Sequence, residues 1–200
     1  IGAAISDQLG NQGYTVIGTA TSASGAEKID QRFKDQGING AGMVLNVTDS
    51  QSISDLLEQV GEKFGAPTIL VNNAGVDCVG PVQKTSLKNW RRVMSINVDG
   101  AFLGVKHCYD ILAKASEKRN GGASIVNISS MLSKVGYIDT SGYNASKGAI
   151  SSFTKAIAVE FASKNISIRS NSVHPGFVHT PLLQQGMQNL VNEGVADSVD

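Results

Sequence analysis

A chain of 200 residues with 41% hydrophobic and 17% charged residues is long enough for one domain with its own core. Its formal net charge of zero excludes the basic surplus of a nucleic-acid or anionic-membrane protein, and no apolar run approaches the roughly 18 residues of a membrane span. Two cysteines thirty positions apart, Cys78 and Cys108, make neither a disulfide framework nor a paired-cysteine metal site, and they read as buried free thiols.

Apolar residues at Ile1, Ala4, Ile5 and Leu9 predict a helix over residues 1–13 that ends at glycine. Residues 14–19 form a short β-branched run that reads as a buried strand. Residues 24–36 are polar and helical, closed by Gly37, and residues 43–47 read as a second strand. Asp49 or Ser50 can cap the next helix, on which Ile53, Leu56, Leu57, Val60 and Phe64 share a face. A third strand follows at residues 68–72. Helical pattern resumes over 86–95 and again over 97–117. Residues 124–128 read as a strand, 143–163 as a long helix and 166–173 as a strand, with a last helix after Pro181.

Strands that are continuous apolar runs, alternating with helices, predict a parallel sheet covered on both faces. Neither an internal repeat nor a linker interrupts the pattern, so one α/β domain over residues 1–200 is expected. The opening Ile1-Gly2-Ala3-Ala4-Ile5 does not read as a secretory leader. With no disulfide framework, the cytoplasm is the expected compartment.

Ligands of a doubly wound sheet bind beyond the C-terminal ends of its strands. After the third strand come Asn72-Asn73-Ala74-Gly75, which fit either a plain turn or a close backbone approach to a ligand. After the fourth come Ser129-Ser130. Tyr143 lies thirteen residues beyond Ser130, and Lys147 follows four residues later on the same helical face. A phenol titrates near pH 10 in isolation, and a neighbouring cation favours the phenolate. A tyrosine so tuned can pass a proton at neutral pH. Alone, the Tyr-x-x-x-Lys pair is equally consistent with an exposed helix pair. His174 and His179 are five positions apart, poor spacing for a shared metal, and read as loop histidines; no metal site is expected. His107 reads as structural, Trp90 and Phe102 as core or interface, and Arg91-Arg92 as a solvated pair.

The chain resembles the short-chain dehydrogenases/reductases in five segments taken together: Thr68–Gly75, Ile96–Gly100, Val126–Ser130, Tyr143–Gly148 and His174–Gly176. The resemblance implies a Rossmann-type, doubly wound parallel sheet in three α/β/α layers, and a nicotinamide cofactor. It implies a catalytic tetrad of Asn97, Ser130, Tyr143 and Lys147. Ser130 would hold a substrate carbonyl oxygen and Tyr143 would deliver the proton. Lys147 would lower the tyrosine pKa and grip the ribose, and Asn97 would hold a relay water. Cofactor contacts carry over to Ile1, Thr21, Asn46, Val47, Asn73, Ala74 and Gly75, to Tyr143 and Lys147, and to Pro175, Gly176, Val178 and Thr180.

The family opens with a strand and a glycine-rich phosphate turn, of which only Ile1-Gly2 stands here. By that analogy the first strand, roughly fifteen residues, is expected upstream, and a further helix and strand after the segment 189–200. NAD-preferring members place a carboxylate at the end of the second strand. Here Gly18-Thr-Ala-Thr-Ser22 offers hydroxyls and no acid, so NADP is expected ahead of NAD. The front half is similar to 3-oxoacyl-carrier-protein reductases, and the catalytic half to secondary-alcohol and hydroxysteroid dehydrogenases. The implied activity interconverts a small-molecule ketone and a secondary alcohol. A 3-oxoacyl-carrier-protein reductase and an inactive cofactor-sensing regulator are the alternatives. Family members are commonly homotetramers built on the helices at 97–117 and 143–163, which would place Cys108 at or near an interface.

Overall fold

Helix starts and stops follow local side-chain chemistry. The Ser22 hydroxyl accepts from the Gly25 N–H at 3.2 Å and caps α2 (Ala23–Gln36), which stops at Gly37, held at φ 67°. Asp49 caps α3 (Ser50–Phe64) through the Gln51 N–H, and Ser86 caps α4 (Leu87–Met94) through the Asn89 N–H. The computed structural model describes residues 1–192. Helix α1 (Gly2–Asn11) precedes β1 (Val16–Ala20); β2 (Gly40–Val44) follows α2, and β3 (Ile69–Asn72) follows α3. After α4, a π-helical turn (Ser95–Asp99) runs into α5 (Gly100–Glu117), then β4 (Ala123–Ile128), a 3-10 turn (Met131–Ser133), α6 (Ser141–Ser163), β5 (Ile168–Val173) and α7 (Pro181–Asn192).

All strand pairing is parallel. β1 pairs with β2 (Val16 opposite Gly40), and β3, β4 and β5 form a three-stranded sheet in that order. Between β1 and β3 runs a groove of about 580 Å³, lined by Val16, Gly18, Leu70 and Asn72 among others. The end of the segment 189–200, after which a further helix and strand are expected, lies outside the described residues.

The main core packs α5 and α6 on the three-stranded sheet through Val105, Cys108, Leu112, Ile125, Ile157 and Phe161. Cys108 therefore packs into the core, and burial pushes its thiol up to about 11. Phe102 is the exposed aromatic of α5, edge-on to Phe153 with ring centroids 6.3 Å apart. A smaller cluster of Val16, Phe33 and Ile38 holds α2 on β1.

The second strand is displaced from its expected range of 43–47. It runs over Gly40–Val44, and at Gly42 a side chain would begin 2.0 Å from the Ala26 carbonyl oxygen. Helix α2 lies that close, and the Asp30 carboxylate accepts the Gly42 N–H at 2.7 Å. Glycine–alanine–glycine is a poor strand by propensity, and contact with α2 overrides that propensity. Asn46 and Val47 consequently lie in the loop beyond β2. The expected break between helices 86–95 and 97–117 is a π-helical turn that joins them instead.

Candidate active site

Strand β4 delivers Ser129 and Ser130 to its C-terminal end, and the first two turns of α6 carry Tyr143 and Lys147. The Ser130 hydroxyl accepts the Leu132 N–H at 3.1 Å and so caps the 3-10 turn, which fixes its rotamer. The Ser129 hydroxyl donates to the Lys147 carbonyl at 2.9 Å, pinning α6 to the strand end. Lys147 is 5% exposed; its Nζ donates to the Ile128 carbonyl at 2.7 Å and lies 5.6 Å from the Tyr143 ring centre. Burial brings this ammonium down to about 8. Burial also pushes the Tyr143 phenol up; a hydrogen bond with Ser130 pulls it down, and the Asp77 charge raises it further.

Asn97 sits in the π turn, buried, with its side chain used in three directions. Its Oδ1 accepts the Val76 N–H at 2.8 Å, and its Nδ2 donates to the Val76 carbonyl and to the Ser146 hydroxyl, each at 2.9 Å. A side chain on Gly75 would meet Asn97 Oδ1 at 3.4 Å and Lys147 Nζ at 3.5 Å. Both functional groups thus border the same bare stretch of backbone.

A cavity of about 450 Å³ collects Ser130, Tyr143 and Lys147. Its wall continues through Asn73, Ala74 and Gly75 to Ile1 and Gly2 on one side, and through Pro175, Gly176, Val178 and Thr180 on the other. Asn97 lies behind Gly75. Three expected cofactor residues do not reach the cavity. Thr21 is exposed just past β1, and the Asn46 amide oxygen accepts from the Thr48 N–H and hydroxyl of its own loop. Val47 packs where a Gly100 side chain would stand and faces the β1–β3 groove.

The model of the short chain dehydrogenase family matches residues 1–190. The chain belongs to that family. It is an oxidoreductase by that membership, and the family works with NAD or NADP on small molecules. This short-chain dehydrogenase is 37% identical over 185 residues to the 3-oxoacyl-[acyl-carrier-protein] reductase FabG of Pseudomonas aeruginosa, covering 92% of this chain and 72% of that one. It is 34% identical over 200 residues to the NADP-dependent (R)-specific alcohol dehydrogenase of Lentilactobacillus kefiri, covering 96% and 75%. A cis-4-hydroxycyclohexanecarboxylate dehydrogenase of Sinomonas cyclohexanicum is 33% identical, covering 92% and 71%. Among solved structures, a variant actinorhodin polyketide ketoreductase with NADPH superposes at TM-score 0.88 and 29% identity, covering 96% of this chain and 71% of that one.

The residues present fit a dinucleotide. Ile1 and Gly2 at the start of α1 line the same cavity as Tyr143 and Lys147, and helix N–H groups favour an anionic group. The cavity runs from Ile1 to Tyr143 without a break in its lining.

Some residues shape this short-chain dehydrogenase's site through contacts that the sequence does not reveal. His174 is held by side chains as well as backbone: its Nδ1 lies 2.8 Å from the Ser133 hydroxyl and 3.1 Å from the Ser130 carbonyl, and its Nε2 2.8 Å from the Ser172 hydroxyl. It ties the end of β5 to the Ser130 turn. Ser146 and Asp77 are likewise visible only in three dimensions, although an acid two residues after Gly75 could have been noted. No group of three metal-ligating side chains occurs among the described residues, and no helix among them is long and apolar enough to cross a membrane.

Proposed function

We propose that this short-chain dehydrogenase is an NADPH-dependent ketone reductase that also oxidises secondary alcohols, with residues 1–200 forming one catalytic domain. The observation that carries the reading is the one cavity wall shared by Ser130, Tyr143 and Lys147, with Lys147 one helical turn beyond Tyr143 on α6. Ser130 donates to the substrate's carbonyl oxygen and orients it. Tyr143, a phenol that burial pushes above its ordinary value near 10, then gives its proton to that oxygen. The nicotinamide, when bound, supplies the hydride. Lys147, which titrates at about 8, re-supplies the proton, and Asn97 beside the same glycine holds the water that connects it to solvent.

NADP rather than NAD is supported by the acid-free end of β1, where Thr21 is exposed to meet a 2′-phosphate, and by the cofactor in the names of two similar proteins. Assembly as a homotetramer through α5 and α6 is supported by the exposed Phe102 and Val159 on those helices. The two free thiols fit a reducing, cytoplasmic compartment.

Tyr143→Phe is expected to lower ketone reduction at least 100-fold while NADPH binding, read by fluorescence, persists. Full activity in that variant overturns the assignment and favours a cofactor sensor. A second reading, 3-oxoacyl-[acyl-carrier-protein] reductase, is favoured by the 37% identical relative of that name. Strong turnover of an acetoacetyl thioester with none of simple ketones decides for it.

A further inference from the structure

Asp77 stands two residues beyond Gly75, on the wall of the cavity that holds Ser130 and Tyr143. It takes no part in the proton path, and among the described residues no side chain hydrogen-bonds to its carboxylate. Its Oδ2 lies 2.9 Å from where a side chain on Gly186 would begin, so the carboxylate is pressed against α7 at a point where only glycine leaves it room. Arg92, exposed on α4, lies within electrostatic reach and offsets part of its charge. That charge is also felt at the Tyr143 phenol. The surrounding wall is apolar, with Val79, Leu132, Phe177, Leu183 and Met187. The carboxylate is bonded by its own backbone N–H, and the Lys147 ammonium of the same cavity is committed to the Ile128 carbonyl; among these apolar side chains the carboxylate attracts a hydrogen-bond donor and repels an anion.

We infer that Asp77 is a specificity-determining residue: it accepts a hydrogen bond from a hydroxyl on the ketone's substituent and excludes ketones that carry a carboxylate. The inference rests on the reading of this cavity as the substrate site of a ketone reductase. A missing or added charge at a desolvated site discriminates far more strongly than a methylene does.

The test uses three ketones that differ only at one ring carbon: cyclohexanone, 4-hydroxycyclohexanone and 4-oxocyclohexanecarboxylate, each with NADPH at pH 7.5. For the native protein, kcat/KM for the hydroxyketone is expected to exceed that for the ketocarboxylate at least tenfold. In Asp77→Asn the ratio of ketocarboxylate to cyclohexanone is expected to rise at least tenfold, whatever the absolute rates. Asp77→Ser gives the same readout if the asparagine variant does not fold. Equal kcat/KM for all three ketones in the native protein, or an unmoved ratio in both variants, overturns the role of Asp77 and leaves the ketone reductase standing. Failure of the native protein to reduce any of the three overturns the ketone reading, and the inference with it.

Discussion

Lys147→Met tests the buried ammonium directly through the pH dependence of stability. Lysine ordinarily titrates at 10.5, and burial brings Lys147 down to about 8. Below pH 8 the folded and unfolded chains both carry the proton, and the fold bears the full cost of burying the charge. Between pH 8 and 10.5 the folded chain has released its proton while the unfolded chain still holds it, so stability rises with pH. Above 10.5 neither state holds it and the rise ends. Each pH unit of that window is worth about 1.4 kcal/mol, so the whole of it amounts to about 3 kcal/mol. Methionine has similar bulk and does not titrate. It leaves the Ile128 carbonyl without its donor, but that loss is the same at every pH. The Cys108 thiol, pushed by burial from 9.0 to about 11, drives an opposite drift above pH 9, because the unfolded chain ionises first. That drift is present in both proteins and cancels in the difference. Urea unfolding followed by circular dichroism, without cofactor, at half-unit steps from pH 7 to 10.5 gives the curve. The native-minus-variant stability is expected to climb by about 3 kcal/mol across it. A difference that stays flat within 1 kcal/mol, or falls, refutes the claim that burial sets the state of this lysine.

Two further outcomes follow from the same geometry. Asn127 is fully buried between β3 and α6, accepting from Asn72 Nδ2 at 2.8 Å and donating to the Thr154 hydroxyl at 2.9 Å. Asn127→Ala is expected to cost about 2–4 kcal/mol, since two buried polar partners lose their mate; a loss under 1 kcal/mol in denaturant unfolding contradicts this. Thr21→Asp puts a carboxylate where the 2′-phosphate is proposed to bind, and the ratio of kcat/KM for NADPH to that for NADH is expected to fall at least tenfold. An unchanged ratio removes Thr21 from the cofactor site.

Much of the site was legible in one dimension. Spacing alone puts Tyr143 and Lys147 on one helical face; their meeting with Ser130 was legible only through the resemblance, and the bond from Ser129 to the Lys147 carbonyl that pins α6 to the end of β4 makes it. Asn97 was legible only as a motif. What makes it inward-facing is the π turn and its three hydrogen bonds to Val76 and Ser146, none of which spacing reveals. Thr21, Asn46 and Val47 were carried over from a resemblance, and the structure sets all three apart from the cavity that holds the rest. The expectation that Lys147 lowers the tyrosine pKa meets a different balance: burial and Asp77 raise the phenol, and Ser130 is the group that lowers it.

The order of strands and helices, the parallel pairing and the family follow from the sequence by itself. Apolar periodicity and capping chemistry are short-range properties that each segment carries with it. The tertiary structure decided the register of β2, the inward turn of Cys108, the His174 clasp and the placement of Asp77 beside Tyr143. Each of those depends on groups distant in the chain: Ala26 against Gly42, α6 over α5, Ser133 and Ser172 on one imidazole, Gly186 against one carboxylate. Packing at such distances is set by which surfaces meet. A pattern read along one strand of sequence does not encode it.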